Sequence, residues 1–241
     1  MPVPSSLNSK TTQKRREEVI KQGAYIDENK YNERYKQEDI KTSLSVIYKN
    51  KCAFCEQRVE QAHIEHYRPK STYFWLAYSW DNLLLACPDC NQAKSNHFLI
   101  ENEIVALYPS DLADIHVLAS KYNQLEQPKL IHPELEEVSS FIVFDEHGHI
   151  SSDNERVNYT INTCKIDRTE LNDMRKKILD DLIRDIEAEI FFAEGENLKS
   201  RISVLLRKFQ RDSQVIENEF LTFRRYVIAH LLAGVLHKIL N

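Results

Sequence analysis

The apolar residues of this chain follow helical spacing near both ends and lose it in between. Residues 17–50 are rich in Lys, Glu and Gln, and their apolar positions fall on one helical stripe. That stripe consists of Ile40, Leu44, Ile47 and Tyr48. Apolar residues at steps of three and four share one face of an α-helix. The pattern therefore predicts helix that runs up to the first cysteine, Cys52.

A second helical pattern begins at Asp167. Asp167-Arg-Thr-Glu170 is a variant of the capping box that starts many helices. The apolar positions that follow, again at steps of three and four, are Leu171, Met174, Ile178, Leu182, Ile186 and Ile190. A further helix is marked by Leu198, Ile202, Leu205, Leu206 and Phe209, and another by the run from Phe220 to Leu240. Because Gly195 and the RDSQ stretch separate these patterns, we expect a C-terminal helical bundle.

The middle of the chain carries turn signals instead. Short apolar runs are interrupted by Pro109, Pro128, Pro133 and Gly148. Such punctuation indicates loops, with Phe141 to Phe144 as one strand of a small hairpin. We therefore expect an N-terminal helical segment, a compact module, a loop-rich accessory region and a C-terminal helical region, at 1–50, 51–100, 101–166 and 167–241. The expected fold class is α+β and mostly α.

Composition is that of a folded chain that needs no disulfide bonds. With 241 residues, 42% of them hydrophobic, it can bury one sizeable core, or one core plus a small module. Residues 1–20 are polar and basic and lack the apolar stretch of a secretory signal, which favours the cytoplasm. The most apolar run, VIAHLLAGVL at 227–236, is too short to cross a bilayer, so we expect no membrane partner.

Four of the five cysteines form two Cys-x-x-Cys pairs. Cys52 and Cys55 are separated from Cys87 and Cys90 by thirty-one residues. Zn²⁺ binds four such thiolates in a closed tetrahedral site that has no open position for substrate. The spacing therefore predicts a structural zinc ion, with four unligated core cysteines as the alternative. Cys164 has no partner at ligand spacing and is expected to be an ordinary buried residue.

Between and beside these pairs lie groups suited to a second, harder cation. Glu65 and Asn91 offer oxygen atoms, which Mg²⁺ and Mn²⁺ prefer as ligands. His66 follows Glu65, and a neutral imidazole can take a proton from water. Adjacent strand residues point to opposite faces, so both serve one site only if the strand bends or ends there. Pro69, just downstream, favours such an end.

The order Cys-x-x-Cys, Glu-His-x-x-Pro, Asn-Leu, Cys-x-x-Cys-Asn-x-x-Lys resembles the HNH nucleases over residues 51 to about 98. That resemblance implies a ββα-metal fold, in which a hairpin and a helix surround one catalytic cation. It implies that His66 is the general base, that Glu65 and Asn91 hold the cation, and that Asn82 tethers the loop. Glu65 replaces the usual Asp or His, and Asn91 replaces the last His, which leaves the metal's identity open.

A narrower resemblance extends beyond this module. The segments CAFCE, IEHYRPKS, NLLLACPDCN and RVNYTINTCKIDRTELNDMRKK are similar to the PtuB-type HNH effectors of Septu and some retron anti-phage systems. In those systems the nuclease works with PtuA, an ATPase of the ABC or SMC-like kind. The resemblance therefore implies such a partner. The net charge of −5 agrees with a nuclease that grips nucleic acid through a local patch or through a partner.

Together these features predict a metal-dependent endonuclease that hydrolyses nucleic-acid phosphodiester bonds, with DNA as the first choice of substrate. Two alternatives remain open. One is an HNH ribonuclease that acts on tRNA, because little in the chain discriminates DNA from RNA. The other is a non-catalytic zinc module that binds nucleic acid or protein, which explains the cysteines but not the order of Glu65, His66, Asn82 and Asn91.

Several residues around the motif have two interpretations. Arg68, Lys70 and Lys94 are candidate phosphate contacts, with solvated surface charges as the alternative. An aromatic-rich stretch could stack unpaired bases or simply pack around the module, and packing is the commoner role. Its members are Tyr67, Tyr73, Phe74, Trp75, Tyr78 and Trp80. His63 and His97 lie near the motif, but we leave them outside the predicted catalytic set.

Overall fold

Three N-terminal helices precede the cysteine module in the computed structural model, which describes residues 2–240. They are α1 (Lys10–Gln22), α2 (Asn29–Asn32) and α3 (Glu38–Tyr48). Ser9 caps α1, because its hydroxyl accepts a hydrogen bond from the Thr12 amide at 3.2 Å. The predicted helix before the cysteines is confirmed as α3, which ends at Lys49 in a left-handed conformation with φ of 55°.

The module is a short β-hairpin followed by a helix. Strands β1 (His63–His66) and β2 (Leu83–Ala86) pair antiparallel, and α4 (Pro88–Lys94) follows β2 directly. Two 3-10 turns, Phe74–Leu76 and Trp80–Asn82, lie in the connection between the strands. α4 begins with proline at its first position, and the Cys87 sulfur accepts a hydrogen bond from the Cys90 amide. This order of strand, strand and helix agrees with the expected ββα arrangement.

Strand β2 is buried on both faces. Leu84 and Ala86 belong to the core that extends to the C-terminal helices, whereas Leu83 and Leu85 pack with Ile40 of α3. Alternate residues of a strand point to opposite sides, so one four-residue strand serves two cores. The hairpin is thereby held between the N-terminal and C-terminal helices.

The region after the module has more regular structure than its sequence indicates. Helices α5 (Ala119–Glu126) and α6 (Glu155–Thr163) flank a hairpin of β3 (Val143–Phe144) and β4 (Ile150–Ser151). The hairpin is confirmed, but the prediction of loops elsewhere misses both helices. α6 has the sequence ERVNYTINT, whose Asn, Thr and Val residues have low helix propensity. Its helix is stabilised by the Asn154 cap and by burial of Val157 and Ile161.

The C-terminal region is helical, as its periodicity predicts. It consists of α7 (Thr169–Phe192), α8 (Gly195–Asp212), α9 (Leu221–Tyr226), a π-helical turn (Val227–Leu231) and α10 (Leu232–Leu240). The predicted capping box is wrong, because Arg168 rather than Asp167 precedes the first helical residue. The Asp167 carboxylate instead accepts a hydrogen bond from the Ile150 amide at 3.0 Å, which ties the start of α7 to β4.

The C-terminal helices share one core with the cysteine module. This core includes Cys52, Leu171 and Phe223. The Lys51 ammonium donates hydrogen bonds to the carbonyls of Ile216 and Asn218, at 2.7 and 2.8 Å, and so closes the boundary between the two regions. Within residues 2–240, the helices are all too short or too polar to span a membrane.

Candidate active site

The four paired cysteines converge on one point. Their Sγ atoms all lie within 4.8 Å of one another, and all four residues are buried. The Sγ atoms of Cys55 and Cys87 are 3.8 Å apart. Four sulfurs at about 2.3 Å from a tetrahedral zinc ion would be about 3.8 Å from one another. The cluster therefore fits a structural zinc ion in both donor type and spacing.

Arg168 lies beside this cluster. Its guanidinium nitrogens are 3.5 Å from the Cys90 sulfur and 3.7 Å from the Cys87 sulfur. Four thiolates around a divalent ion carry two net negative charges, which a neighbouring guanidinium offsets. Arg168 precedes α7, so the contact also joins the C-terminal helices to the sulfur cluster. No spacing in the sequence points to this residue.

Glu65, His66 and Asn91 line one cleft of about 450 Å³. His66 is the last residue of β1, and the chain leaves the strand there, so consecutive side chains reach the same cleft. Asn91 lies on α4, opposite β1. The end of the strand and the adjoining helix thus bring together three of the four predicted catalytic residues.

Glu65 is held by two neighbours on α4. Its Oε1 accepts a hydrogen bond from the Lys94 ammonium at 2.7 Å, and its Oε2 accepts one from the Asn91 amide. Burial raises the pKa of Glu65, and the positive charge of Lys94 offsets part of that rise. A carboxylate and an amide are suitable ligands for Mg²⁺ or Mn²⁺. To share a cation with Glu65, Asn91 must turn its amide oxygen toward the carboxylate.

His66 is only 6% exposed, and its surroundings select one neutral form of the ring. Its Nε2 lies 3.0 Å from the Ala77 carbonyl oxygen, and a carbonyl can only accept, so Nε2 carries the hydrogen. The ring of Tyr35 packs edge-on against the imidazole, with centroids 4.5 Å apart. Burial lowers the pKa of His66 to about 3. At neutral pH, Nδ1 is therefore an unprotonated base.

Asn82 is buried outside the cleft, where it bridges two parts of the chain. Its Oδ1 accepts a hydrogen bond from the Arg68 amide at 2.7 Å, and its Nδ2 donates to the carbonyls of Arg68 and Leu76. These bonds join the segment after β1 to the turns before β2. They hold the backbone just beyond His66 in place, and Asn82 does not line the cleft.

Two of the three predicted phosphate contacts are in the wrong place for that role. Lys94 is fully buried and donates to Glu65 and to the His66 carbonyl. Arg68 is 1% exposed, and its Nε is 2.8 Å from the Glu126 carboxylate. Neither charge faces solvent, and each is compensated by bonds within the protein. Lys70, in contrast, lines the cleft.

The aromatic-rich stretch is packing rather than an exposed stacking surface. Its buried members are Tyr67, Tyr73, Trp75 and Tyr78, and the other two, Phe74 and Trp80, are partly buried. Two of these rings lie at cation–π distance from the Arg68 guanidinium, Tyr67 at 5.4 Å and Tyr73 at 5.7 Å. The alternative interpretation of the stretch, as structural packing, is the one that agrees with its burial.

His63 belongs to the cleft, although we left it outside the predicted set. It precedes Glu65 by two residues in β1, and its Nδ1 is 3.5 Å from the Asn91 amide oxygen. The spacing of two residues places both side chains on one face of a strand. In the sequence, this spacing could have placed His63 beside Glu65, provided that the segment was known to be a strand. His97 is not among the residues that line the cleft.

Comparison with known proteins identifies one matching domain family and three similar proteins. The HNH endonuclease family matches residues 52–97. Septu protein PtuB of Bacillus mycoides (strain KBAB4) is 30% identical over 220 residues, which cover 82% of this chain and 68% of that protein. Septu protein PtuB of Bacillus thuringiensis is 40% identical over 62 residues, which cover 24% of each.

Septu protein PtuA of Bacillus mycoides (strain KBAB4) is also similar. It is 25% identical over 199 residues, which cover 73% of this chain but only 27% of that protein. The similarity to PtuB of Bacillus mycoides spans most of both chains, and the HNH match contains the sulfur cluster, Glu65, His66 and Asn91. The chain therefore belongs to the PtuB family of Septu proteins and carries an HNH endonuclease domain.

Proposed function

We propose that this protein is a metal-dependent endonuclease that hydrolyses phosphodiester bonds of nucleic acid, with DNA as the main substrate. The observation that carries the proposal is the meeting of Glu65, His66 and Asn91 in one cleft. A base with a free lone pair lies there beside a buried carboxylate and an amide. These are the groups that water activation next to a bound cation requires.

His66 is the general base in this mechanism. Its Nε2–H stays bonded to the Ala77 carbonyl, so Nδ1 accepts the proton of the attacking water. Because burial lowers the pKa of His66, the ring is unprotonated throughout the neutral range. General-base assistance of this kind contributes about 10²–10⁴-fold to the rate.

Glu65 and Asn91 would hold the cation. Mg²⁺ or Mn²⁺ bound there would stabilise the charge that develops on the scissile phosphate and on the leaving oxygen. Lys94 positions the carboxylate of Glu65 and also bonds the His66 carbonyl, so it fixes the base and the ligand relative to each other. Asn82 fixes the backbone that follows His66.

Zinc has a structural role in this proposal. The sulfur cluster lies at the start of α4 and before β1, so a bound zinc ion fixes the two elements that carry Asn91, Glu65 and His66. Metal binding to small modules of this kind supplies about 10–16 kcal/mol of folding free energy. The four sulfurs fill its coordination shell, which leaves hydrolysis to the second metal.

The family membership supports a biological role in anti-phage defence with an ATPase partner of the PtuA kind. A segment of the Bacillus mycoides protein named PtuA is also similar to most of this chain. We propose that the chain acts in the cytoplasm with such a partner.

Cleavage assays test the function directly. Wild type and His66→Ala are incubated with plasmid, single-stranded DNA and tRNA, with Mg²⁺ or Mn²⁺, with and without the partner ATPase. We expect wild type to cleave DNA and the variant to lose at least about 10²-fold of that rate. Equal zinc content and circular dichroism show that the variant is folded. Cleavage of tRNA alone would favour the ribonuclease, and identical behaviour of the two proteins in every condition would leave only a non-catalytic zinc module.

A further inference from the structure

The N-terminal helices supply one wall of the active-site cleft. Tyr35, Lys36 and Lys41 come from this segment, and they line the same cleft as Glu65 and His66. Lys41 lies on α3, and Lys36 lies in the connection between α2 and α3. The segment is more than twenty residues upstream of β1 and has no place in the HNH match, which begins at residue 52.

This wall is held rigidly against the module. Ile40 and Leu44 of α3 are buried against Leu83 and Leu85 of β2, the strand that pairs with β1. Tyr35 is buried and contacts the His66 ring. α3 packs on β2, and β2 pairs with β1, which carries Glu65 and His66. Lys36 and Lys41 therefore keep a defined position relative to these groups.

The charge in this part of the cleft is positive, unlike that of the chain as a whole. Lys36 and Lys41 are exposed, and neither forms an ion pair within the part of the chain that the structure describes. Lys70 joins them from the segment after β1, and its nearest acid is the exposed Asp27, at 3.9 Å. Glu65, the acid inside the cleft, is already paired with Lys94.

Aromatic rings orient these cations. The Lys70 ammonium is 4.0 Å from the centroid of the Tyr25 ring, and that of Lys36 is 5.6 Å from the centroid of Tyr35. Contacts of this type restrain an ammonium while leaving its hydrogens free for an anion. Three cations in a cleft that also holds a base and a carboxylate suit a chain of phosphates.

We propose that Lys36, Lys41 and Lys70 form the surface that binds the phosphodiester backbone on either side of the scissile phosphate. The inference rests on the proposed nuclease function, but it assigns substrate binding to a segment outside the HNH domain. It also explains how a chain with a net charge of −5 can hold a polyanion: the binding charge is local and comes from two separate parts of the sequence.

Binding measurements without cleavage test this assignment. Full-length, zinc-loaded protein is titrated without added Mg²⁺ or Mn²⁺, so that zinc stays bound and hydrolysis does not start. The probes are fluorescent duplex DNA, single-stranded DNA and RNA of equal length, at several salt concentrations. The test variant is Lys36→Gln/Lys41→Gln. The charge-matched control is Lys10→Gln/Lys14→Gln, because these two lysines are exposed on α1 and do not line the cleft.

We expect the cleft variant to bind its preferred probe about tenfold more weakly at low salt, while the control binds like wild type. Each lost phosphate contact lowers the slope of log K against log salt by about 0.9 for duplex DNA or about 0.7 for single strands. The cleft variant should therefore lose about 1.8 or about 1.4 from that slope. A charge-retaining variant, Lys36→Arg/Lys41→Arg, should keep wild-type binding. The probe whose affinity differs most between wild type and the cleft variant shows whether the bound backbone is that of duplex DNA, single-stranded DNA or RNA.

Several outcomes would overturn the inference. These are equal losses in the cleft variant and the control, an unchanged salt slope, or no measurable binding of any probe by wild type at low salt. Because binding is measured without hydrolysis, the result is independent of the cleavage assay. Wild type that cleaves while the cleft variant binds normally refutes the lysine surface but leaves the nuclease standing. Binding that depends on these lysines, with no cleavage under any condition, refutes the nuclease function but leaves the lysine surface standing.

Discussion

The Lys94 ammonium lies 2.7 Å from the Glu65 carboxylate, and both side chains are almost completely inaccessible to solvent. The pair joins the last turn of α4 to the end of β1, and Glu65 lines the cleft. A buried carboxylate that loses its partner is left uncompensated in a medium of low dielectric constant. The stability of the module and the ionisation of the Glu65 carboxylate therefore depend on each other through this pair.

Lys94→Met tests this dependence. The change keeps most of the side-chain volume but removes the charge, so we expect a loss of about 3–5 kcal/mol in the free energy of unfolding. Urea denaturation measures it. The double variant Glu65→Gln/Lys94→Met should lose less than the sum of the two single changes, because it leaves no isolated charge. Additive losses, or wild-type stability in Lys94→Met, would contradict a coupled pair.

The pH dependence of stability follows from the low pKa of His66. Between pH 6.5 and about 3, the unfolded chain binds a proton at this residue and the folded chain does not, so acid favours unfolding. Stability from this group is complete above about pH 6.5 and declines as the pH falls. From pH 7 to pH 5, we expect wild type to lose about 2 kcal/mol more than His66→Gln.

The comparison of two proteins is essential here. Zinc release and carboxylate protonation occur in both wild type and His66→Gln, so they cancel in the difference. Gln can still donate a hydrogen bond toward the Ala77 carbonyl but does not titrate. Parallel loss of stability in the two proteins on acidification would show that the folded protein protonates His66 as readily as the unfolded chain does.

Arg168→Gln is expected to weaken zinc binding. The guanidinium is the cation beside the Cys87 and Cys90 sulfurs, and removal of such a neighbour typically lowers metal affinity by about 10–100-fold. Competition with a coloured chelator measures zinc retention independently of any nuclease assay. Arg184→Gln is the matched control, since Arg184 is exposed on α7, where it pairs with Asp181. Equal zinc retention by both variants would remove the proposed electrostatic role.

His63→Ala is expected to change the response to the divalent cation. His63 lies beside Asn91, on the same face of β1 as Glu65, so it can bind the cation directly or orient the Asn91 amide. The Mn²⁺ concentration for half-maximal cleavage should rise about 10-fold or more, with no change in zinc content. His97→Ala is the control. If both variants need the same Mn²⁺ concentration as wild type, His63 neither binds the cation nor orients Asn91.

The sequence allows the module to be predicted because its chemistry depends on short, ordered spacings. Two Cys-x-x-Cys pairs, a Glu-His dipeptide followed by proline, and an Asn directly after the last cysteine can be found without knowledge of any distant contact. Helical periodicity likewise predicts α3, α7 and α8. The failures occur where local signals are weak. α6 contains several Asn, Thr and Val residues with low helix propensity, and Asp167 bonds to Ile150 instead of starting α7.

The roles of the charged residues were decided by tertiary structure. Lys94 and Lys70 are both near the motif in sequence, yet the phase of α4 turns Lys94 inward toward Glu65, while the segment after β1 leaves Lys70 at the cleft. Lys36 and Arg168 reach the cleft and the sulfur cluster from opposite sides of the module along the sequence. The sequence by itself determined the hairpin-and-helix fold of the module and the order of its candidate ligands, since those depend on neighbours along the chain. Which cations surround the site depended on how apolar faces pack, and that is settled only when distant helices close on the hairpin.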